Sequence, residues 1–451
     1  MKRLSLVAVS LIALMAAPVL AQTPVRIDQN AVEAHMGFLA GPELRGRGSA
    51  THDEAVAAAY VATQFRLAGL TPVPGMDGYL QRAPVVKTTP SGRAVLTVGG
   101  VTLEQAAGLG VLSGATQSAA GTVVVAEGGD PAALPAGEVI LIAPPEGGGV
   151  RAWIGAATQK GARLIVLRQT AALATASAGP ARTSIRLAET PARGGPVVVV
   201  VPGETFDRMR AAGGTATFEP GQATVEEGVT TNAIGWLPGT DPDAGVLMVS
   251  AHLDHIGVRP DGVVMYGAND DASGTVAVIA LAEALADMGP HERSLMFVAF
   301  GSEEAGLLGG RYFTAHPPIP LSDIKANLGI EMIGDQDPNM PDGVMMMTGF
   351  ERSNFGAALR DRGALVGPDP YPQQNFFERS DNYALALQGI VAHTISGWAT
   401  IPTYHTVEDT IENLDFPFLT RAIGSLVEPL AAMADGDFTP EWSEGGRPAP
   451  R

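Results

Sequence analysis

The stretch SLMFVAFGSEEAGLLGGRYF, residues 294–313, runs from an apolar, strand-like segment through two adjacent acids, Glu303 and Glu304, into a Gly-containing helical segment. Strand, short turn and helix is the unit from which α/β sheets are built, and the exit of the strand is where such sheets place their sites. Two neighbouring carboxylates repel each other at neutral pH, so their pairing at the end of a buried strand calls for positive charge close by. The same alternation repeats on either side. GVLMVSAHLD (245–254) precedes helix-like GTVAVIALAEALADM (274–288). ANLGIEMIG (326–334), a helix near 352–363, GIVAHTISG (389–397) and a last helix near 416–435 follow. This order predicts a mixed, mostly parallel sheet flanked by helices on both faces.

Ahead of this region, residues 31–70 read as two helices around a Gly-rich turn, the second over about 51–68 and stopped by Gly69. From about residue 90 the texture changes to short β-branched runs bounded by Gly and Pro, such as GTVVVAEG, EVILIAP and PVVVVVPG, with one helix-like stretch, VRAWIGAATQKGA. The α/β domain is therefore expected over 22–89 and 226–437, interrupted by a β-rich insert over 90–225 that carries little catalytic chemistry. Residues 438–451 read as a loose terminal tail. The first 21 residues combine Lys2 and Arg3, an apolar run too short to span a bilayer, and a small-residue ending at Ala21. That is the pattern of a cleaved secretory signal, which predicts a periplasmic or secreted protein with no membrane anchor after cleavage.

The formal net charge of −18 argues against a nucleic-acid partner, which demands a basic stripe. The absence of cysteine removes disulfides, thiolate nucleophiles and thiolate metal ligands together. Any metal must then be held by His, Asp and Glu. Such residues gather at the ends of the apolar runs: His252, Asp254 and His255 in AHLDH, Asp270 and Asp271 in GANDDASG, Glu303 and Glu304, Glu331 in NLGIEMIG, and His405 in TYHTVEDT. Each alone has a structural explanation. Their convergence at strand ends of one sheet points instead to a pair of divalent ions sharing a bridging carboxylate. Imidazole and carboxylate donors suit zinc, with cobalt or manganese also compatible. One of the paired acids can then bind metal while its neighbour accepts a proton.

Four of these motifs, HLDH, GANDDASG, the Glu303–Glu304 pair in FGSEEAGLLGGRYF and YHTVEDT, in this order resemble the M28 family of zinc-dependent aminopeptidases, and GEVILIAPPEGGGVRAWIGAATQKGARLIVLR (137–168) resembles a protease-associated domain inserted into it. The resemblance implies the zinc exopeptidase fold, peptide substrates, two metal ions, and the following roles. His252 binds one metal, His405 the other, and Asp270 bridges them. Glu304 and Glu331 complete the two sets, Glu303 is the general base, and Asp254 orients His252. Tyr404 sits where family members place a hydroxyl on the scissile carbonyl. Arg379 and Asp381, in RSDNY, match a segment that lines the site and are candidate substrate contacts. Glu331 stands where the family usually has Asp. His255 is expected to point away as a structural residue, and Asp271 to serve the start of a helix. A carboxypeptidase or dipeptidase on the same scaffold needs cations for the substrate carboxylate, for which Arg311, Arg352 and Arg379 are the loose candidates. A single-zinc cyclotransferase and a non-catalytic binding relative are disfavoured by the complete donor set.

Overall fold

Every residue of the strands Val246–His252, Ser294–Phe300 and Val391–Ser396 is buried, which is the signature of sheet strands covered on both faces. Side chains alternate between the two layers. Leu247, Val249, Ala251, Leu295, Phe297 and Ala299 pack on one face with the helices Gln29–Leu39, His52–Leu67, Gly274–Asp287 and Phe416–Ala434. Val246, Met248, Met296, Val298 and Phe300 pack on the other, against Phe313 of Leu308–Ala315 and Leu385 of Asn382–Leu387. The computed structural model describes residues 26–449 except 127–128, 147–149, 177–182 and 192–193. The expected signal peptide lies outside the described residues. Among them no helix is long and apolar enough to cross a membrane.

The main sheet has nine strands. Parallel pairing is concentrated at its centre, where Ser294–Phe300, Val246–His252, Ile324–Glu331 and Val391–Ser396 lie side by side. The pairings outside that centre are antiparallel, apart from Met345–Met347 with Val366–Pro368. The sheet is thus mixed as expected, with its parallel character confined to the middle. Val246–His252 lies between the next two strands of this sheet, Ser294–Phe300 on one side and Ile324–Glu331 on the other. The chain therefore crosses over it between those two strands, and a crevice opens at its carboxyl end.

The strands of the insert form a second, eight-stranded sheet with its own apolar layers on its two faces. The long antiparallel pair Leu80–Ser91 and Gln222–Leu237 carries the chain out and back. One strand within the insert's span, Ser184–Leu187, pairs with Leu80–Ser91 in the main sheet. Leu187 packs there with Ala50, Val85 and Leu308. The C-terminal segment also departs from the expected loose tail. Phe438 stacks on Phe355, and the Trp442 indole donates to the Gly389 carbonyl at 2.9 Å. Two large aromatic rings bury enough apolar surface to hold a short segment down.

His393, inside Val391–Ser396, is buried with Nδ1 donating to the Thr348 carbonyl and Nε2 accepting from Ser353. Burial pushes its pKa down to about 4, only partly countered by the Thr348 carbonyl. A depressed histidine pKa means that the unfolded chain protonates first as the pH falls, so stability is complete above the ordinary value and lost below it. Between about pH 7 and about pH 5 the folded protein should lose roughly 2 kcal/mol from this residue. In His393→Gln that part of the pH slope should be absent from denaturant unfolding, whatever the variant's absolute stability.

Candidate metal centre

Three adjacent parallel strands end in candidate ligands. His252 is the last residue of Val246–His252, Glu303 and Glu304 follow Ser294–Phe300 by a short turn, and Glu331 closes Ile324–Glu331. Asp270 arrives from the turn before the Gly274–Asp287 helix, and His405 from the loop after Val391–Ser396. Asp270 divides its carboxylate between two groups. Its Oδ1 is 3.3 Å from His252 Nε2, which in turn lies 3.8 Å from Glu331 Oε1. Its Oδ2 is 3.1 Å from His405 Nε2, which is 3.0 Å from Glu304 Oε1. The extra methylene of Glu331 does not prevent its carboxylate from reaching the first group.

His255 does not point away. Its ring is fully buried inside the second group, with Nδ1 2.9 Å from Glu304 Oε1 and 3.8 Å from Asp270 Oδ2. It also meets His405 edge to face. The expectation failed because the His255 backbone is bridged to the Arg47–Gly48 segment, and spacing in sequence does not show which way a loop side chain turns. The HLDH pattern, with two histidines flanking a strand end, was the available signal.

Both groups suit a cation. His252 Nε2, both ring nitrogens of His255, and Asp270 Oδ2 are buried without a well-directed hydrogen-bond partner. Unpaired donors and acceptors are rare in protein interiors, and here they converge. The charge balance agrees. Burial opposes the charged form of His252, yet Glu303, Asp254, Asp270 and Glu331 hold its pKa well above the usual value. His405 is likewise raised to about 10 against burial, by Asp270 and Glu304. Glu303 is pushed well above the carboxylate range by burial, with Glu331, Glu304 and Asp381 adding to the effect against His252. The acids outnumber the positive charges that face them.

The surrounding residues hold this arrangement through backbone donors. Nδ1 of His252 donates to the Asp254 carbonyl at 3.2 Å, which leaves Nε2 free for the centre. The Asp254 carboxylate lies farther from that ring, at 3.8 Å. It accepts instead from the Glu303 N–H at 2.8 Å, the Glu304 N–H at 3.3 Å and the Ser49 hydroxyl at 2.6 Å. Asp254 therefore orients His252 through its carbonyl and the paired acids through its side chain. Asp271 accepts from the N–H groups of His252, Gly274 and Met332, tying three motifs together as well as serving the helix start expected of it. Asp409 accepts from the N–H groups of Asn269 and Asp270. Glu54 takes the Ser302 hydroxyl at 2.7 Å, just before the paired acids, and burial raises its pKa to about 7.

The candidate base and ligands open onto a cleft lined by Glu303, Glu304, Glu331, Asp270 and Tyr404. The Tyr404 ring is stacked on His405 at 3.8 Å. Burial and the nearby Asp270 and Glu304 keep its hydroxyl protonated well above the ordinary range. Arg379 also lines the cleft, its guanidinium resting 4.9 Å over the Phe376 ring. Asp381 does not. It is buried against Gly310, and burial, together with Asp254 and Glu331, raises its pKa to about 8 despite His252. Arg311 reaches back to the Gly306 carbonyl and Arg352 to that of Gly446 with Phe377 beneath it, so neither joins Arg379.

The profile of peptidase family M28 matches residues 232–428, a span that contains every one of these donors. This segment belongs to peptidase family M28. Leupeptin-inactivating enzyme 1 of Streptomyces exfoliatus is 29% identical over 257 residues, 52% of this chain and 55% of that protein. Aminopeptidase YwaD of Bacillus subtilis is 28% identical over 188 residues, 40% of this chain and 39% of that protein. The alignments thus span about half or less of these curated relatives. Among solved structures, the aminopeptidase from Aneurinibacillus sp. strain AM-1 superposes with a TM-score of 0.62 over 91% of this chain and 94% of its own, at 19% identity. A zinc aminopeptidase from Bacillus subtilis superposes with 0.57 over 92% and 97%, at 18% identity. These last two show that the fold seen in those two structures extends over most of the chain.

Sequence reasoning passed over Arg47, which lies outside the matched M28 segment. Fully buried, it donates to the carbonyls of Leu253 at 2.7 Å, Leu39 at 2.5 Å, Tyr266 at 2.9 Å and Gly267 at 2.8 Å. Asp409, Asp254, Asp271 and Asp270 offset the cost of burying its charge. Arg47 thus joins the loop holding His252 and His255 to the turn holding Asp270. A lysine ammonium cannot reach four carbonyls in this fork. Arg47→Lys should lose roughly 3 kcal/mol or more, since charge-assisted hydrogen bonds contribute about 1.5–3 kcal/mol each. Denaturant unfolding of the purified variant checks this.

Proposed function

We propose that this chain is an exported aminopeptidase that removes N-terminal residues from peptides with two divalent metal ions, zinc in the first instance. The observation that carries the reading is the division of Asp270 between two donor groups beside a cleft that Glu303 also lines. His252, Asp270 and Glu331 would hold one ion, and Asp270, Glu304 and His405 the other. Bound there, the ions supply Lewis acidity, polarising a carbonyl and lowering the pKa of water. Glu303 takes the proton of the attacking water and returns it to the leaving amine. Its backbone N–H, held by the Asp254 carboxylate, fixes where its side chain can start. Tyr404, protonated and partly exposed at the rim, would donate to the carbonyl oxygen. The acid-rich wall favours a substrate with a free ammonium, as the relatives' names suggest. The protease-associated-like insert would act on substrate access rather than chemistry, and residues 1–21 would direct export.

Arg379 supports a narrower second reading, in which a peptide's carboxylate is also recognised and short peptides are preferred. End-group chemistry separates the two. Acetylating the N-terminus should abolish turnover, while amidating the C-terminus should leave it; loss on amidation alone would point to a carboxypeptidase.

The paired acids should fail in different ways. Glu303→Gln should keep both metals and lower turnover by at least the roughly 10²–10⁴-fold of a lost general base. Glu304→Gln should lose metal first and regain part of its activity with added zinc. Metal analysis alongside rates distinguishes them, and the reverse pattern would exchange the two roles.

A further inference from the structure

We infer that the two cation positions are unequal, because His255 adds a fourth protein donor to the one formed by Asp270, Glu304 and His405. The inference rests on the two-metal reading and concerns residues that this reading leaves unequal. One position has three convergent donors, from His252, Asp270 and Glu331. The other has four, from His255, Asp270, Glu304 and His405, their ligand atoms all within 4.8 Å of one another. Four donors of this kind complete the tetrahedral set of a closed zinc site, whereas three leave a place for another molecule.

His255 has the placement of a ligand rather than of a packed core ring. It is fully buried, and neither ring nitrogen finds a directed hydrogen bond, although Nδ1 lies 2.9 Å from Glu304 Oε1. His405 approaches that same oxygen at 3.0 Å, so two imidazoles and a carboxylate oxygen close on one point. The neighbouring backbone makes room for this ring. Gly267 sits at φ +63°, and a Cβ there would fall 2.3 Å from His255 Cγ. The Gly267 carbonyl is held by Arg47, and the His255 N–H donates to the Arg47 carbonyl at 3.2 Å. The backbone on either side of the imidazole is thus held by the residue that joins the two loops carrying these donors.

Unequal donor sets mean ordered loading. The four-donor position fills first and tightly, and the three-donor position fills second. Cobalt(II) added to the metal-free full-length protein tests this by calorimetry and by proton NMR of hyperfine-shifted ring signals. Two binding steps at least about tenfold apart are expected, and the first equivalent should shift the ring protons of two histidines rather than one. His255→Gln should weaken the first step by about 10–100-fold or more, the range that even ligand-supporting residues command, and remove one shifted ring. Glu331→Gln should weaken only the second step. Two ions binding with equal affinity, or a single shifted ring at the first equivalent in the unaltered protein, would overturn the inequality while leaving two metals in place. Failure to take up a second ion would overturn the two-metal reading itself. The ring count needs no variant, so it holds even where His255→Gln misfolds.

Discussion

Negative charge gathered around Asp270 is the constraint on which the rest of this structure depends. Burying a carboxylate is costly unless it is paired or hydrogen-bonded, and this centre buries several. The chain divides them into two kinds. Asp254, Asp271 and Asp409 are satisfied by backbone N–H groups, so each fixes a loop. Asp270, Glu304 and Glu331 face histidine nitrogens instead, and Glu303 faces the cleft. The first kind is saturated by protein. The second is poised for ions that the protein does not itself provide. Arg47 links the two by holding the carbonyls of both ligand-bearing loops with one charge.

The backbone around the ligands is held in uncommon conformations. Ser302, just before the paired acids, Met332, just after Glu331, and His405 itself all have positive φ between 52° and 55°. For residues other than glycine this region is disfavoured, and it persists only where surroundings over-determine it. The surroundings here are identifiable. Glu54 holds the Ser302 hydroxyl, Asp271 holds the Met332 N–H, and the Glu304 and Asp270 oxygens hold the His405 ring. Local strain is thus tied to the placement of the candidate ligand side chains at strand ends.

The second sheet stands apart in its core but not in its connections. Ser184–Leu187 crosses back to pair at the edge of the main sheet, near Ala50 and Leu308. Ala50 lies beside the helix that carries Glu54, and Leu308 opens the helix that follows the paired acids. Covering that edge removes unpaired backbone groups from a long strand, which is one way proteins prevent edge-to-edge association. The C-terminal segment is held by ring contacts, Phe438 on Phe355 and Trp442 on Phe377.

The sequence alone determined the layered α/β architecture, because short apolar runs such as 246–251 and 294–300, alternating with longer helix-like segments, read as strands buried on both faces. It determined the kind of chemistry as well. With no cysteine, a set of histidines and acids at strand ends restricts the donors to imidazole and carboxylate, and the order of HLDH, GANDD, SEE and YHT carries the family resemblance. Tertiary structure alone decided the direction of each side chain beyond its strand. His255 turned inward because its backbone is bridged to Arg47 and Gly48 while its ring packs against Gly267. Asp381 turned away from the cleft, and Asp409 and Arg47 entered the network from distant parts of the chain. The tail docked, and one strand of the insert left its own sheet. Local propensity and periodicity report which face of an element is apolar, but they hold no information on where a loop residue points or which distant carbonyls an arginine can reach. Those depend on contacts between segments far apart in the chain, which exist only once the sheet has formed.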